Sequence, residues 1–293
     1  MKKIIFTLFA ALLMGFIVGC SSSSSSGNEA ENESSSGENE ETIKFGVSAW
    51  TSTVPPTKIA VQIIEDMGYK VEETSAEIGA VYAGIASGGT DIYMDSWLPP
   101  QKQYMDQYSD DLEVIGTSFE GAEAGFVIPG YMEDIDDIED LKGKEDMFDN
   151  EFYTVGEGDP AVESFAEAIE AYDLDIEMVH SSEAPMLATL EEAIDQKEPV
   201  LIQGWEPHSM FNKFDLKVLR DREIFGTASV NVVANKNLKE KAPDVYNFLS
   251  NWELSIEELG ELMLKIENGE DPEKVASEWI KENEDRVEKM KGE

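Results

Sequence analysis

The alternation of apolar and polar positions gives the first picture of this chain. Short apolar runs rich in β-branched residues alternate with stretches that carry helical periodicity, which argues for an α/β fold. Ile43 to Val47 reads as a strand, and Thr57 to Met67 as a helix with apolar Ile59, Val61, Ile63 and Ile64 before Gly68. Lys70 to Glu73 is strand-like, Gly79 to Ser87 helical up to Gly88-Gly89, Asp91 to Met94 a strand, and Gln101 to Tyr108 a short helix. Leu112 to Gly116 and Gly125 to Ile128 are two further strands, the second ending at Pro129-Gly130. A second module is expected to begin there. It holds a helical turn at Ile138 to Leu141, strands at Phe152 to Val155, Ile176 to Val179 and Val200 to Gln203, and helices at Pro160 to Tyr172 and Ala184 to Gln196. Leu216 to Leu219 and Ser229 to Ala234 carry the chain back to the first module, and Pro243 to Lys291 is mostly helical with a break at Gly269 to Pro272. Two crossings, near Pro129 and near Thr227, are what a two-lobed clamshell requires. The expected lobes are residues 43–128 plus 228–293, and residues 129–227.

Three of these strands lead into a tryptophan followed by a proline-marked turn: Gly46 to Pro56 around Trp50, Asp91 to Pro100 around Trp97, and Val200 to His208 around Trp205. Their length and β-rich content read as buried parallel strands, which places each indole at a strand's carboxyl end. That edge is where open α/β sheets bind ligands. Indole faces attract a cation without demanding an N–H partner, and quaternary ammonium groups are held in this way. Tryptophans are also common core residues, but three in one local context favour a site. Trp252 and Trp279 lie in helical C-terminal sequence and read as packing residues.

The second candidate element is the loop Gly156-Glu157-Gly158-Asp159-Pro160-Ala161, which follows a strand and opens a helix, with Asp159 placed as N-cap and Pro160 as first helical residue. A helix start offers unpaired N–H groups and partial positive charge, which suit a carboxylate. The loop lacks the third glycine of a dinucleotide fingerprint and the lysine of a P-loop.

Together, the three tryptophan motifs, the Gly156 to Pro160 loop and the Gly204-Trp205-Glu206-Pro207-His208 segment resemble the glycine betaine-binding lipoproteins of ABC importers, over roughly residues 43–290. The resemblance implies the type II solute-binding fold, with a ligand cleft between its lobes. It also implies that loop amides at Gly156 and Glu157 hold the ligand's carboxylate; the extra residue before Asp159 departs from the family pattern and leaves Gly158 as an alternative. Relatives place a histidine five residues after the tryptophan of the Trp-Leu-Pro motif, where this chain has Lys102. An ammonium can make the same contact as a point charge, and a solvent-facing lysine is the alternative reading. His208 follows Trp205 and reads as structural, with contact to the ligand as the alternative, and His180 reads as structural.

The amino terminus changes the picture again. Lys2 and Lys3 precede an apolar run from Ile4 to Val18 that ends at Gly19-Cys20, the layout of a secretory signal over residues 1–19 and too short for a comfortable membrane span. Ile17-Val18-Gly19-Cys20 resembles a bacterial lipobox, so Cys20, the only cysteine, is expected to carry a lipid. From there to Thr42 the chain is Ser, Glu, Gly and Asn with almost nothing apolar, a composition that reads as a disordered tether.

Charge is the outstanding compositional fact: 62 acidic against 22 basic residues, a net charge of -40. It argues against nucleic-acid binding, which needs a basic surface. Acidic residues crowd into Glu133 to Asp140, Glu163 to Glu170 and Glu253 to Glu261, which read as solvated faces suited to high salt. Enzyme readings fare poorly: there is no Gly-x-Ser-x-Gly elbow and no His-Glu-x-x-His, and Glu133 to Asp140 lacks the pattern of a calcium loop. No metal or cofactor is expected. The sequence therefore predicts a monomeric, lipid-anchored extracytoplasmic protein. It would deliver a quaternary ammonium compatible solute, glycine betaine first, to the transmembrane subunits of an ABC importer. A binder of another small zwitterion such as an amino acid is the alternative, ahead of a surface-anchored hydrolase.

Overall fold

A computed structural model describes residues 41–156 and 159–292. Cys20 and the tether up to residue 40 lie outside the described residues, as do Glu157 and Gly158 of the glycine loop. The first strand, β1 (Thr42–Val47), pairs in parallel with β2 (Lys70–Ser75) from Thr42↔Lys70 to Val47↔Ser75. Between them runs α1 (Val54–Asp66), which starts on Pro55 and Pro56 and buries Ile59, Ala60, Ile63 and Ile64. Prolines suit a first helical turn because its N–H groups have no partner within the helix. Helix α2 (Ile78–Ala86) then leads to β3 (Ile92–Leu98), α3 (Lys102–Gln107) and β4 (Leu112–Pro129).

The next stretch holds β5 (Glu151–Thr154), α4 (Val162–Ala171), β6 (Glu177–His180), α5 (Glu183–Gln196), β7 (Ile202–Glu206), α6 (Met210–Lys213) and β8 (Leu216–Leu219). The chain returns through β9 (Ala228–Asn235) to five helices: α7 (Leu238–Lys241), α8 (Pro243–Ser250), α9 (Ile256–Glu267), α10 (Pro272–Glu282) and α11 (Glu284–Lys291). The strand order is β2-β1-β3-β9-β4-β7-β5-β6, with β8 on β4.

The sheet falls into two halves joined through β4. Up to Ala122, β4 pairs antiparallel with β9; from Glu123 it pairs antiparallel with β7, and from Phe126 also with β8. Two expectations are corrected here. The segments Leu112 to Gly116 and Gly125 to Ile128 are parts of one strand, whose mismatches are absorbed by register shifts at Val114/Gly116, Thr117/Phe119 and Glu120/Ala122. The strands leading to Trp97 and Trp205 are not purely parallel: β3 is antiparallel to β9, and β7 is antiparallel to β4. Both also continue through their tryptophan instead of stopping before it, because this antiparallel pairing extends to Leu98↔Ser229 and Glu123↔Glu206.

Each half has its own core. In the first, period-two alternation sends Val230, Val232 and Ala234 of β9 to the face packed by Ile43, Phe45, α1 and the C-terminal helices, and Val233 to the opposite face with Tyr82 and Tyr93. Trp252 and Trp279 are buried in the first of these clusters; Trp252 sits just past α8 and Trp279 within α10. The second half is organised by an aromatic cluster of Phe126, Phe152 and Phe165, with ring centroids 4.7 to 5.1 Å apart.

Candidate functional site

Where the two halves meet, Trp50, Trp97 and Trp205 line one cavity. Trp50 stands beyond the end of β1, Trp97 near the end of β3 and Trp205 near the end of β7. Trp50 and Trp205 meet edge to face, with ring centroids 5.2 Å apart and planes at 87°. The peptide bonds Leu98–Pro99 and Glu206–Pro207 that follow two of the indoles are both cis.

Buried polar groups hold the indoles in place. Asp95, fully enclosed two residues before Trp97 on β3, accepts the Trp97 indole N–H at 2.8 Å on one oxygen and the hydroxyls of Ser52 and Thr53 at 2.8 Å on the other. Burial pushes its carboxyl above the ordinary range, and the three donated hydrogen bonds oppose that shift. A single carboxyl group thus ties Trp97 to the short helix after Trp50. On the other side, Glu183 at the start of α5 accepts the Thr51 N–H at 3.1 Å, the Thr51 hydroxyl at 2.5 Å and His208 Nε2–H at 3.0 Å. His208 Nδ1 accepts the Met210 N–H, which leaves the ring proton on Nε2 for Glu183. The buried His208 ring lies edge-on to Trp205, with centroids 4.7 Å apart. His208 therefore positions Trp205 and does not line the cavity. His180 donates through Nδ1 to the Val155 carbonyl at 2.8 Å.

The rest of the lining is apolar or neutral with one exception. Ala122, Ala124, Phe225 and Ala228 supply apolar surface, Ser52, Gln101 and Gln203 neutral polar groups, and Asp159 the only charge among the described lining residues. Gln203 Oε1 accepts the Thr154 hydroxyl at 2.5 Å and the Val155 N–H at 3.3 Å, and Gln101 Oε1 accepts the Tyr82 hydroxyl at 2.9 Å. With both amide oxygens taken, the NH2 ends remain to serve the cavity as donors.

Lys102 is not brought to this cavity. Its side chain is 63% exposed and pairs with Asp106 one helical turn along α3, while its neighbour Gln101 does line the site. Gly156 is exposed and lines a second, adjoining cavity that shares Trp50 and Asp159 with the first. The helix after the glycine loop starts later than expected. Asp159 caps the turn through Ala161 N–H at 2.8 Å, but α4 begins only at Val162.

Comparison with known proteins gives this geometry a family. Residues 41–282 match the substrate binding domain of ABC-type glycine betaine transport systems. Over 127 residues the chain is 42% identical to the glycine betaine/carnitine transport binding protein GbuC of Listeria monocytogenes, a match that spans 42% of this chain and 42% of that relative. Lactococcal OpuAC, solved in its closed-liganded conformation with glycine betaine, shares the fold at a TM-score of 0.80 and 29% identity, over 86% of this chain and 99% of that one. An ABC-transporter choline binding protein in complex with choline follows at 0.78 and 27%, over 85% and 91% of the two chains. The fold is thus the two-lobed α/β clamshell of solute-binding proteins, and the chain belongs to the family of substrate-binding domains of ABC-type glycine betaine transport systems.

Proposed function

We propose that this protein captures a quaternary ammonium compatible solute, glycine betaine first, between Trp50, Trp97 and Trp205 and delivers it to the transmembrane subunits of an ABC importer. The observation that carries this reading is three indoles on one cavity whose described lining contains no lysine or arginine. Ring faces meet a methylated ammonium at no hydrogen-bonding cost, whereas a primary ammonium needs acceptors for its N–H groups. The NH2 ends of Gln101 and Gln203 suit the solute's oxygen atoms, and amides of the Gly156 to Gly158 loop complete the hold on its carboxylate. The lobes, residues 43–128 with 228–293 and residues 129–227, close on the ligand about the two chain crossings. The signal-like run and lipobox-like segment before Cys20 support a protein held outside the membrane by lipid on Cys20, and the proposal takes it as a monomer serving osmoprotection.

Calorimetric titration of residues 43–293 against glycine betaine, choline, carnitine and amino acids tests the solute class. Quaternary ligands should bind and primary ammonium zwitterions should not; tight binding of an amino acid would establish the alternative. In the full chain, lipid labelling and membrane association should disappear in Cys20→Ser, and their persistence in a correctly cut variant would remove the anchor.

A further inference from the structure

Among the groups that line the tryptophan cavity, Asp159 stands apart. The neutral NH2 groups of Gln101 and Gln203 can donate to a carboxylate or a hydroxyl oxygen alike, so they do not sort ligands by charge. Asp159 does carry charge. One of its oxygens accepts the Ala161 N–H at 2.8 Å, and among the described residues no hydrogen bond reaches the other. It lines both the tryptophan cavity and the adjoining one.

We propose that Asp159 sets which kind of quaternary ammonium the cage prefers. Ionised, it favours a ligand with net positive charge, such as a quaternary ammonium alcohol; protonated, it admits the zwitterion. This rests on the tryptophan cage being the solute site.

The surroundings make the switch one-sided. Asp95 and Tyr93 on β3, Glu77 at the start of α2 and Tyr104 on α3 interact electrostatically with Asp159, while Glu183 of α5 shares the adjoining cavity. The lysine of α3, Lys102, is turned to Asp106. Among the described residues, the Ala161 N–H at the approach to α4 opposes this accumulation of acids. Burial pushes the Asp159 carboxyl up; the Ala161 hydrogen bond offsets part of the rise, Asp95 and Glu77 add to it, and the group titrates at about 6.

The consequence follows from linkage. A cation a few ångströms from a carboxylate lowers its pKa by about 1–3 units, and by reciprocity the cation's own affinity rises roughly tenfold per unit as the carboxyl ionises. A zwitterion brings its own carboxylate, so its coupling is weaker or of opposite sign. Whichever end of the ligand lies nearer Asp159, the preference for the cation over the zwitterion grows as pH rises through the titration.

Choline and glycine betaine serve as probes, since both keep their charge over the range that matters. Their dissociation constants are measured by calorimetry at about pH 5 and about pH 7.5 on the protein and on Asp159→Asn, which keeps the oxygen that accepts the Ala161 N–H. Preference for choline over betaine should rise severalfold, up to about tenfold, with pH in the parent, and Asp159→Asn should show a flat ratio. Should the Asn variant not fold, Asp159→Ser retains an N–H acceptor and takes its place. A pH-independent ratio in the parent overturns the inference while leaving the solute class intact, and so does a pH dependence that survives in the variant. If neither ligand binds at either pH, the cage reading falls as well.

Discussion

Trp97 owes its orientation to Asp95, and Trp205 leans on His208, which is held by Glu183. Indoles fixed in this way present their faces without reorganising when a cation arrives, so each should contribute strongly. Replacing Trp50, Trp97 or Trp205 by Leu keeps apolar bulk and removes a desolvated cation–π contact of about 2 kcal/mol, or roughly thirtyfold in dissociation constant. Trp252→Phe and Trp279→Phe should lower the melting temperature and leave affinity nearly unchanged. Titration of variants with native circular dichroism checks both, and Leu variants at two of the three cage positions that bind as tightly as the parent would sink the cage. These three residues were legible because each sits in a local motif that a reader can see. Asp95 lies inside one of those motifs, yet its role depends on Ser52, 43 positions away, and Glu183 meets Thr51 across 132 positions. An acidic residue opening a helix is ordinary, so Glu183 gave no local signal. Lys102 was misleading in the opposite sense, because spacing identifies a position without showing that an acid one helical turn away occupies its ammonium.

Secondary elements were legible where hydrophobic period and punctuation agree, as in α1 between its prolines and Gly68, whose φ of 91° ends the helix. Strand β4 shows where that agreement fails. Gly116, Thr117, Ser118, Glu120 and Gly121, relieved only by Phe119, interrupt its apolar pattern, and sequence alone divides it in two. Tertiary pairing overrides the interruption, since β9 follows β4 through three irregularities. Gly116 has a purpose that no periodicity reveals: a Cβ there would run into the backbone carbonyl of Leu249 on α8. Backbone cannot swing aside as a side chain can, so Gly116→Ala should cost about 1–3 kcal/mol. Urea unfolding measures it, and an unchanged midpoint would show that α8 shifts freely on β4.

The whole molecule carries a net charge of -40. Apolar and acidic positions interleave along its surface helices: Glu163, Glu167 and Glu170 are exposed on α4 while Val162, Phe165 and Ala168 are buried. Self-repulsion among so many like charges destabilises the compact state and is screened within about 10 Å at 0.1 M salt. The melting temperature should therefore climb with sodium chloride, whereas betaine, having no net charge, should bind with little salt dependence. A steep loss of betaine affinity in salt would instead assign a long-range electrostatic role to the acidic surface. The meeting of the two halves also has an optical consequence. Trp50 follows β1 and Trp205 belongs to β7, so their edge-on contact at 5.2 Å and 87° spans the junction. Chromophores that close share their excitation, and the sign and strength of the resulting circular-dichroism couplet vary with separation and angle. The protein thus carries a label-free ruler across its own cleft, one that registers a change in lobe geometry even where the fluorescence intensity of five tryptophans averages it away.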